Sequence, residues 1–225
     1  MRGLGPSLGA AGVQGFLADP SLELHEPGGV VLANNNWKDS QQAQIAATGL
    51  APTVDAEAAI YALLAPGSYT AILSGANATT GIGLVEVYDL DAVVTSQLAN
   101  VSTRGFVGTG DNVMIGGVII GPQGAADATA VVRAIGPSLG AAGVSGSLAD
   151  PTLELHDGNG AIIATNDDWQ DDPAQAALLE AANFAPTDSH ESAIYAALPT
   201  GSYTAIVLGK DSTTGIALVE VYNLN

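Results

Sequence analysis

Residues 133–169 read RAIGPSLGAAGVSGSLADPTLELHDGNGAIIATNDDW, and residues 2–37 read RGLGPSLGAAGVQGFLADPSLELHEPGGVVLANNNW. Further on, GSYTAIVLG (201–209) repeats GSYTAILSG (67–75), and GIALVEVYNL (215–224) repeats GIGLVEVYDL (81–90). Gly5-Pro6-Ser7 matches Gly136-Pro137-Ser138 at an offset of 131, Trp37 matches Trp169 at 132, and Tyr69 matches Tyr203 at 134. The copies therefore differ by three inserted residues, which belong in loops. A self-similar period fixes the architecture before any single residue is read. This one has the length of a small domain, not of a solenoid repeat. The copies are cut unequally: residues 92–132 occur once, and Met1 aligns with Val132, inside a stretch that reads as a strand.

Most segments read as strands of five to nine residues, β-branched and alternating with period two. Leu22-Glu23-Leu24-His25 and Leu153-Glu154-Leu155-His156 are matched examples. Residues 30–33 and 161–165 follow tight turns, of which Asp157-Gly158-Asn159-Gly160 supplies the positive φ that a hairpin needs. Residues 67–74 with 201–208, and 83–88 with 217–222, complete each copy. The unique segment adds strands at 98–104, 112–120 and 128–135. One short helix is expected per copy. In the second copy Asp172 caps it, Pro173 opens it, and Asn183 takes the left-handed position after it, where the first copy has Gly49. The fold expected is all-β: two tandem jelly-roll-like antiparallel β-sandwich modules, each with one short helix. The first spans 1–91 and lacks its two opening strands. The second spans 92–225, and its linking strands 98–132 are open to three assignments: the second module, the first, or a neighbouring subunit.

Net charge is −18 with five basic residues, so the chain cannot neutralise phosphate and nucleic acid is excluded as a partner. Apolar residues make up 47% and charged residues 12%, so it folds rather than forming a disordered acidic tail. No cysteine offers a disulfide or thiolate. The longest apolar run, 113–120, is too short to span a bilayer, so membrane insertion is not expected. Low lysine with abundant Asp, Asn, Thr and Gly places the protein outside a bacterial cell or on its surface.

The run LANVSTRGFVGTGDNVMIGGVII (98–120), with the 133–169 stretch, GSYTAIVLG and GIALVEVYNL, resembles a module repeated in large secreted proteins of environmental bacteria. Residues 153–208 also resemble, more distantly, the bacterial pre-peptidase C-terminal domain: strand, D-G-N-G turn, strand, N-D-D, then G-S-Y-T strand. That second resemblance implies a calcium-associated, non-catalytic accessory β-sandwich. Neither brings a catalytic residue.

Gly136-Pro137-Ser138-Leu139-Gly140 and its twin at 5–9 match G-x-S-x-G, yet no helix of adequate length follows, so a turn is expected and not a nucleophile elbow. His25, His156 and His190 lack a nucleophile and orienting partner. The best site candidate is the oxygen-rich loop Asn166, Asp167, Asp168, Asp171 and Asp172, with Asp157 and Asn159 from the nearby turn. Calcium takes six to eight such oxygens. The first copy has one carboxylate and a lysine in Asn34-Asn35-Asn36-Trp37-Lys38-Asp39, so tighter binding is expected in the second. Trp37 and Trp169 are candidates to stack on a glycan, or aromatic anchors of the core.

A sandwich short of edge strands exposes an apolar groove and unpaired backbone. The expected function is a non-catalytic extracellular structural protein. It self-associates head-to-tail by β-strand addition into a filament or array, using Leu98, Val101, Val113, Ile115, Val118 and Ile120. The alternative is a calcium-stabilised accessory module that holds a glycan or a secreted enzyme.

Overall fold

The computed structural model describes residues 1–29, 31–90, 98–121 and 127–224. It forms two compact units, Met1–Gln97 and Leu98–Asn225. The expected boundary between Asp91 and Ala92 lies outside the described residues, as does Val30 of the strand read at 30–33.

The first unit contains β1 (Arg2–Leu4), β2 (Pro20–His25), β3 (Val31–Asn34), α1 (Gln42–Ala47), β4 (Ala58–Ala59), β5 (Thr70–Gly75) and β6 (Leu84–Glu86). The second contains β7 (Asn100–Val107), β8 (Met114–Ile120), β9 (Ala128–Ile135), α2 (Pro137–Ala141), β10 (Pro151–His156), β11 (Ile162–Asn166), α3 (Pro173–Ala181), β12 (Ser192–Leu198), β13 (Gly201–Gly209) and β14 (Gly215–Asn223).

All strand pairs in the four sheets are antiparallel. The second unit stacks β11-β10-β13-β8 against β12-β9-β14-β7. Successive strands alternate between the sheets except for the hairpin β10–β11, which stays in one sheet, and this is the order of a jelly roll. The first unit has β3-β2-β5 and β4-β1-β6. Among the described residues that is the same order without the two strands that would correspond to β8 and β7. Those two pair inside the second unit: Tyr203 faces Val118 and Ala205 faces Gly116, while Val221 faces Val101 and Gly215 faces Val107.

The alternation read from the sequence sets the core. In β10, Leu153 and Leu155 are buried while Glu154 and His156 are not. With Val132, Val207, Ala217 and Val219 they form the interior of the second sandwich. Each fully buried leucine contributes about 1.5–3 kcal/mol. The helix signals also hold: the Asp172 side chain accepts from the amides of Ala174 and Gln175, and Asn183 has φ of 61° where Gly49 has 72°. One expectation needs correction, because the second unit carries an additional helical turn, α2, starting at Pro137. A proline at the first helical position costs no hydrogen bond there, and a buried carboxylate holds the free amides of this turn. In the first unit the matching Pro6–Ala11 is a 3-10 turn.

Candidate functional site

The carboxylate under α2 is Glu191, fully buried. Its Oε1 accepts from the amides of Gly136 (3.2 Å) and Ser138 (2.9 Å), and its Oε2 from the Ser138 hydroxyl (2.9 Å). Glu57 holds the same three donors in the first unit through one oxygen, its Oε1 accepting from Gly5 N at 3.1 Å, Ser7 N at 2.8 Å and Ser7 Oγ at 2.5 Å, while its buried Oε2 has no partner among the described residues. A serine nucleophile needs a base and free amides to hold an oxyanion. Ser138 instead meets a carboxylate and the Thr187 hydroxyl (2.8 Å), and the nearest amides are already taken. The leading glycine is steric: a Cβ on Gly136 would sit 2.3 Å from the Leu148 carbonyl oxygen, and one on Gly5 2.0 Å from that of Leu17. G-P-S-L-G is therefore a clamp that fastens the strand end to the sandwich. Glu57 and Glu191 escaped the sequence reading, although an acid at that position in both copies was the available signal.

The oxygen-rich loop is divided by the fold. Asp157 closes its own turn, accepting from the amides of Asn159 (2.8 Å) and Ala161 (2.9 Å), which holds its carboxyl below the usual range. The Asn159 side chain hydrogen-bonds the same Asp157 carboxylate. Asn166 bridges to the Asp168 carbonyl and the Ala193 amide. Asp172 caps α3, and Asp171 is exposed. Only Asp167 and Asp168 converge, and their third partner is Asp150, which the sequence reading missed. Ligand atoms of these three lie within 4.8 Å of one another. The Oδ1 atom of each is enclosed and has no hydrogen-bond partner among the described residues. Burial pushes the Asp168 carboxyl up.

A cation already faces this cluster. Lys210 Nζ lies 2.8 Å from Asp167 Oδ2 and 3.5 Å from Asp150 Oδ2, and the bond to Asp167 raises the lysine pKa. The first unit has Asp19, Asn35, Asn36 and Ala76 at the four positions, and the Oδ1 atoms of Asp19 and Asn35 are again unpartnered. Asp19-Pro20 and Asp150-Pro151 recur unchanged in the two copies, which was the signal that could have found them.

Trp37 and Trp169 are 8% and 7% exposed, so neither offers a face to a sugar, and the stacking expectation is corrected to anchoring. Each packs against the helix of its unit, on Ile45 in one and Leu179 in the other. Trp169 also donates to the Asp188 carbonyl at 3.1 Å. His190 pairs with Asp188 at the surface (3.2 Å), and His25 and His156 each face a strand glutamate.

The last candidate is the open side of the first unit. Among the described residues, β5 and β6 each have one strand neighbour, whereas β13 and β14 have two. Leu64 is 37% exposed where its counterpart Leu198 is 2%, and Val87 is 41% where Val221 is 7%. Of the residues expected to mediate self-association, Val118 and Ile120 pack on the core of the second unit and Val101 pairs with Val221. Val113 precedes β8 half-buried. Leu98 and Ile115 are exposed, Ile115 because alternation turns it to the outer face of β8.

No protein-family model matches the chain, and no curated protein matches it. Among solved structures it is distantly similar to the pre-peptidase C-terminal domain of a collagenase from Bacillus anthracis. Identity is 13%, over 54% of this chain and 88% of that one, with a TM-score of 0.34.

Proposed function

We propose that this chain is a non-catalytic structural protein of the secreted type that self-associates by β-strand addition at the open side of its first unit. The observation behind this reading is the pair of matched edges: β13 and β14 are covered by β8 and β7, and β5 and β6 are not. Apolar residues between the sheets are left facing water there, and exposed edges of this kind recruit strands. A chain that keeps its hairpin in the second unit presents one open groove. A chain that gives the hairpin away presents a donor and two grooves, and such species join head to tail into filaments or arrays. The clamp geometry at Ser138, with its amides occupied, supports the non-catalytic part. Low lysine content supports a place outside the cell, and among the described residues no helix is long and apolar enough to cross a membrane. Light scattering on a sizing column across a concentration series tests it. Mass should grow with concentration, and a 22.4 kDa monomer at every concentration would end the self-association reading.

The second reading is a calcium-stabilised accessory module with a protein partner, favoured by the convergence of Asp150, Asp167 and Asp168. Three carboxylates with unpartnered oxygens suit a hard cation, but calcium needs six to eight oxygens and Lys210 holds the same ground. Loading would require the lysine to swing out and water to complete the shell. Titration calorimetry on wild type and Lys210→Ala distinguishes the cases. Tighter calcium binding by the variant, with the first unit weaker, supports the site. No heat from either protein at millimolar calcium removes it.

A further inference from the structure

We infer that the open groove of the first unit is the acceptor for a second β7–β8 hairpin, a further copy of segment 98–120. It would seat on β5 and β6 in the register that β8 keeps on β13 and β7 keeps on β14. The inference rests on the strand-addition reading and names its partner.

The protein contains its own template for this contact. On β13 the residues facing the hairpin are Gly201, Tyr203, Ala205 and Val207, paired with Ile120, Val118, Gly116 and Met114. The first unit offers Gly67, Tyr69, Ala71 and Leu73 at those positions. On β14 the inward residues are Ala217, Val219 and Val221. The first unit offers Gly83, Val85 and Val87. Where the two surfaces differ, the changes largely offset one another, leaving the first unit one carbon smaller. Leu73 is larger than Val207 by one methylene, and glycines stand where the second unit has Ala134 and Ala217. A Cβ on Gly3 would lie 2.7 Å from Leu73 Cδ1, and one on Gly83 2.5 Å from its Cδ2. Swaps that conserve volume keep a packing surface usable.

The hairpin is shaped for that floor. Met114, Gly116, Val118 and Ile120 turn inward while Ile115 and Ile119 turn out. Gly116 has little room for a side chain, because a Cβ would meet Val219 Cγ1 at 3.0 Å, and Val85 stands at the equivalent place in the first unit. A small residue opposite Val85 distinguishes this hairpin from an arbitrary apolar strand. Segment 98–120 carries one Arg and one Asp, Arg104 and Asp111, so the hairpin itself brings no net charge into the groove.

The test adds a synthetic peptide of residues 98–121 to the full chain and follows amide hydrogen exchange at Thr70–Gly75 and Leu84–Glu86. In parallel, residues 98–131 are joined directly ahead of Met1, which reproduces the covalent order of the second unit. We expect protection of both segments, and in the fused chain an upward shift of the first unit's melting transition on the order of 10 °C. A donor copy with Val118→Asp should lose these effects, and one with Ile119→Asp should keep them. Unchanged exchange with the peptide, together with an unmoved transition in the fused chain, would overturn the assignment. So would equal behaviour of the two donor variants. Light scattering of the unmodified chain separates the two claims. A monomer whose first unit is stabilised by the added hairpin sinks self-association and leaves the acceptor site. A polymer in which Thr70–Gly75 and Leu84–Glu86 still exchange freely sinks the site and leaves self-association.

Discussion

GIALVEVYN forms the nine-residue strand β14 in the second unit, while GIGLVEVYD in the first forms only the three-residue β6. The same holds for β13 against β5, nine residues against six, and for β12 against β4, seven against two. The sequences are nearly the same, so propensity cannot explain the difference. Each long strand has a partner along its whole length, and each short one runs out of partner. β4 shows this most plainly. Ile194 pairs with Val132 and the ladder continues to Leu198 opposite Ala128, whereas Ile60 bonds with Met1 and the pairing stops there. Beyond that point Leu63 is 98% exposed. Strand formation is a property of the pair, with side-chain packing across the ladder as its source.

The strongest way to break this comparison is to cut matched leucines. Leu198→Ala should destabilise the second unit by about 3 kcal/mol, in the usual range for a buried leucine. In the unassociated chain Leu64→Ala should cost the first unit less than about 1 kcal/mol, since its side chain meets water there. Differential scanning calorimetry reads the two units as separate transitions, and similar shifts would show that the first unit's groove is closed in solution. The next effect should be equal in the two units. Glu191→Leu and Glu57→Leu each remove the acceptor of the buried G-P-S amides, and each should lower the stability of its own unit by about 1–3 kcal/mol. An effect in one unit alone would mean the clamp is not shared.

The smallest effect concerns a histidine of the second unit. Glu154 hydrogen-bonds His156 and raises its pKa above the ordinary value, with the Gly160 carbonyl adding to the shift. A raised folded pKa stabilises the fold fully below the unfolded value, and that contribution disappears as pH rises through the folded one. NMR titration should place the His156 midpoint above the ordinary histidine range and bring it down in Glu154→Gln. An unmoved midpoint in that variant would remove Glu154 as the cause.

Much of the fold was legible because its signals are local. Alternation named the core faces of β2 and β10, and Asp172 with Pro173 marked the start of α3 to the residue. The candidate sites were less legible for a physical reason. The run 166–172 looks like one cluster on paper, but Asp172 turns to the helix amides and Asn166 to the Ala193 amide. The carboxylate that completes the cluster, Asp150, lies just before β10, separated from Asp167 by the whole β10–β11 hairpin. A site is a convergence of distant segments, and a single stretch shows only its nearest member.

By itself the sequence determined the duplication, the all-β character, the jelly-roll count, the strongly negative charge and the absence of thiol chemistry. These follow from composition and short-range periodicity, which do not depend on partners. Tertiary structure alone decided which unit the hairpin at 98–120 closes, how long each strand grows, and which acidic oxygens meet. Those outcomes depend on backbone donors and acceptors finding partners across the sandwich, and two nearly identical segments with different neighbours reach different structures.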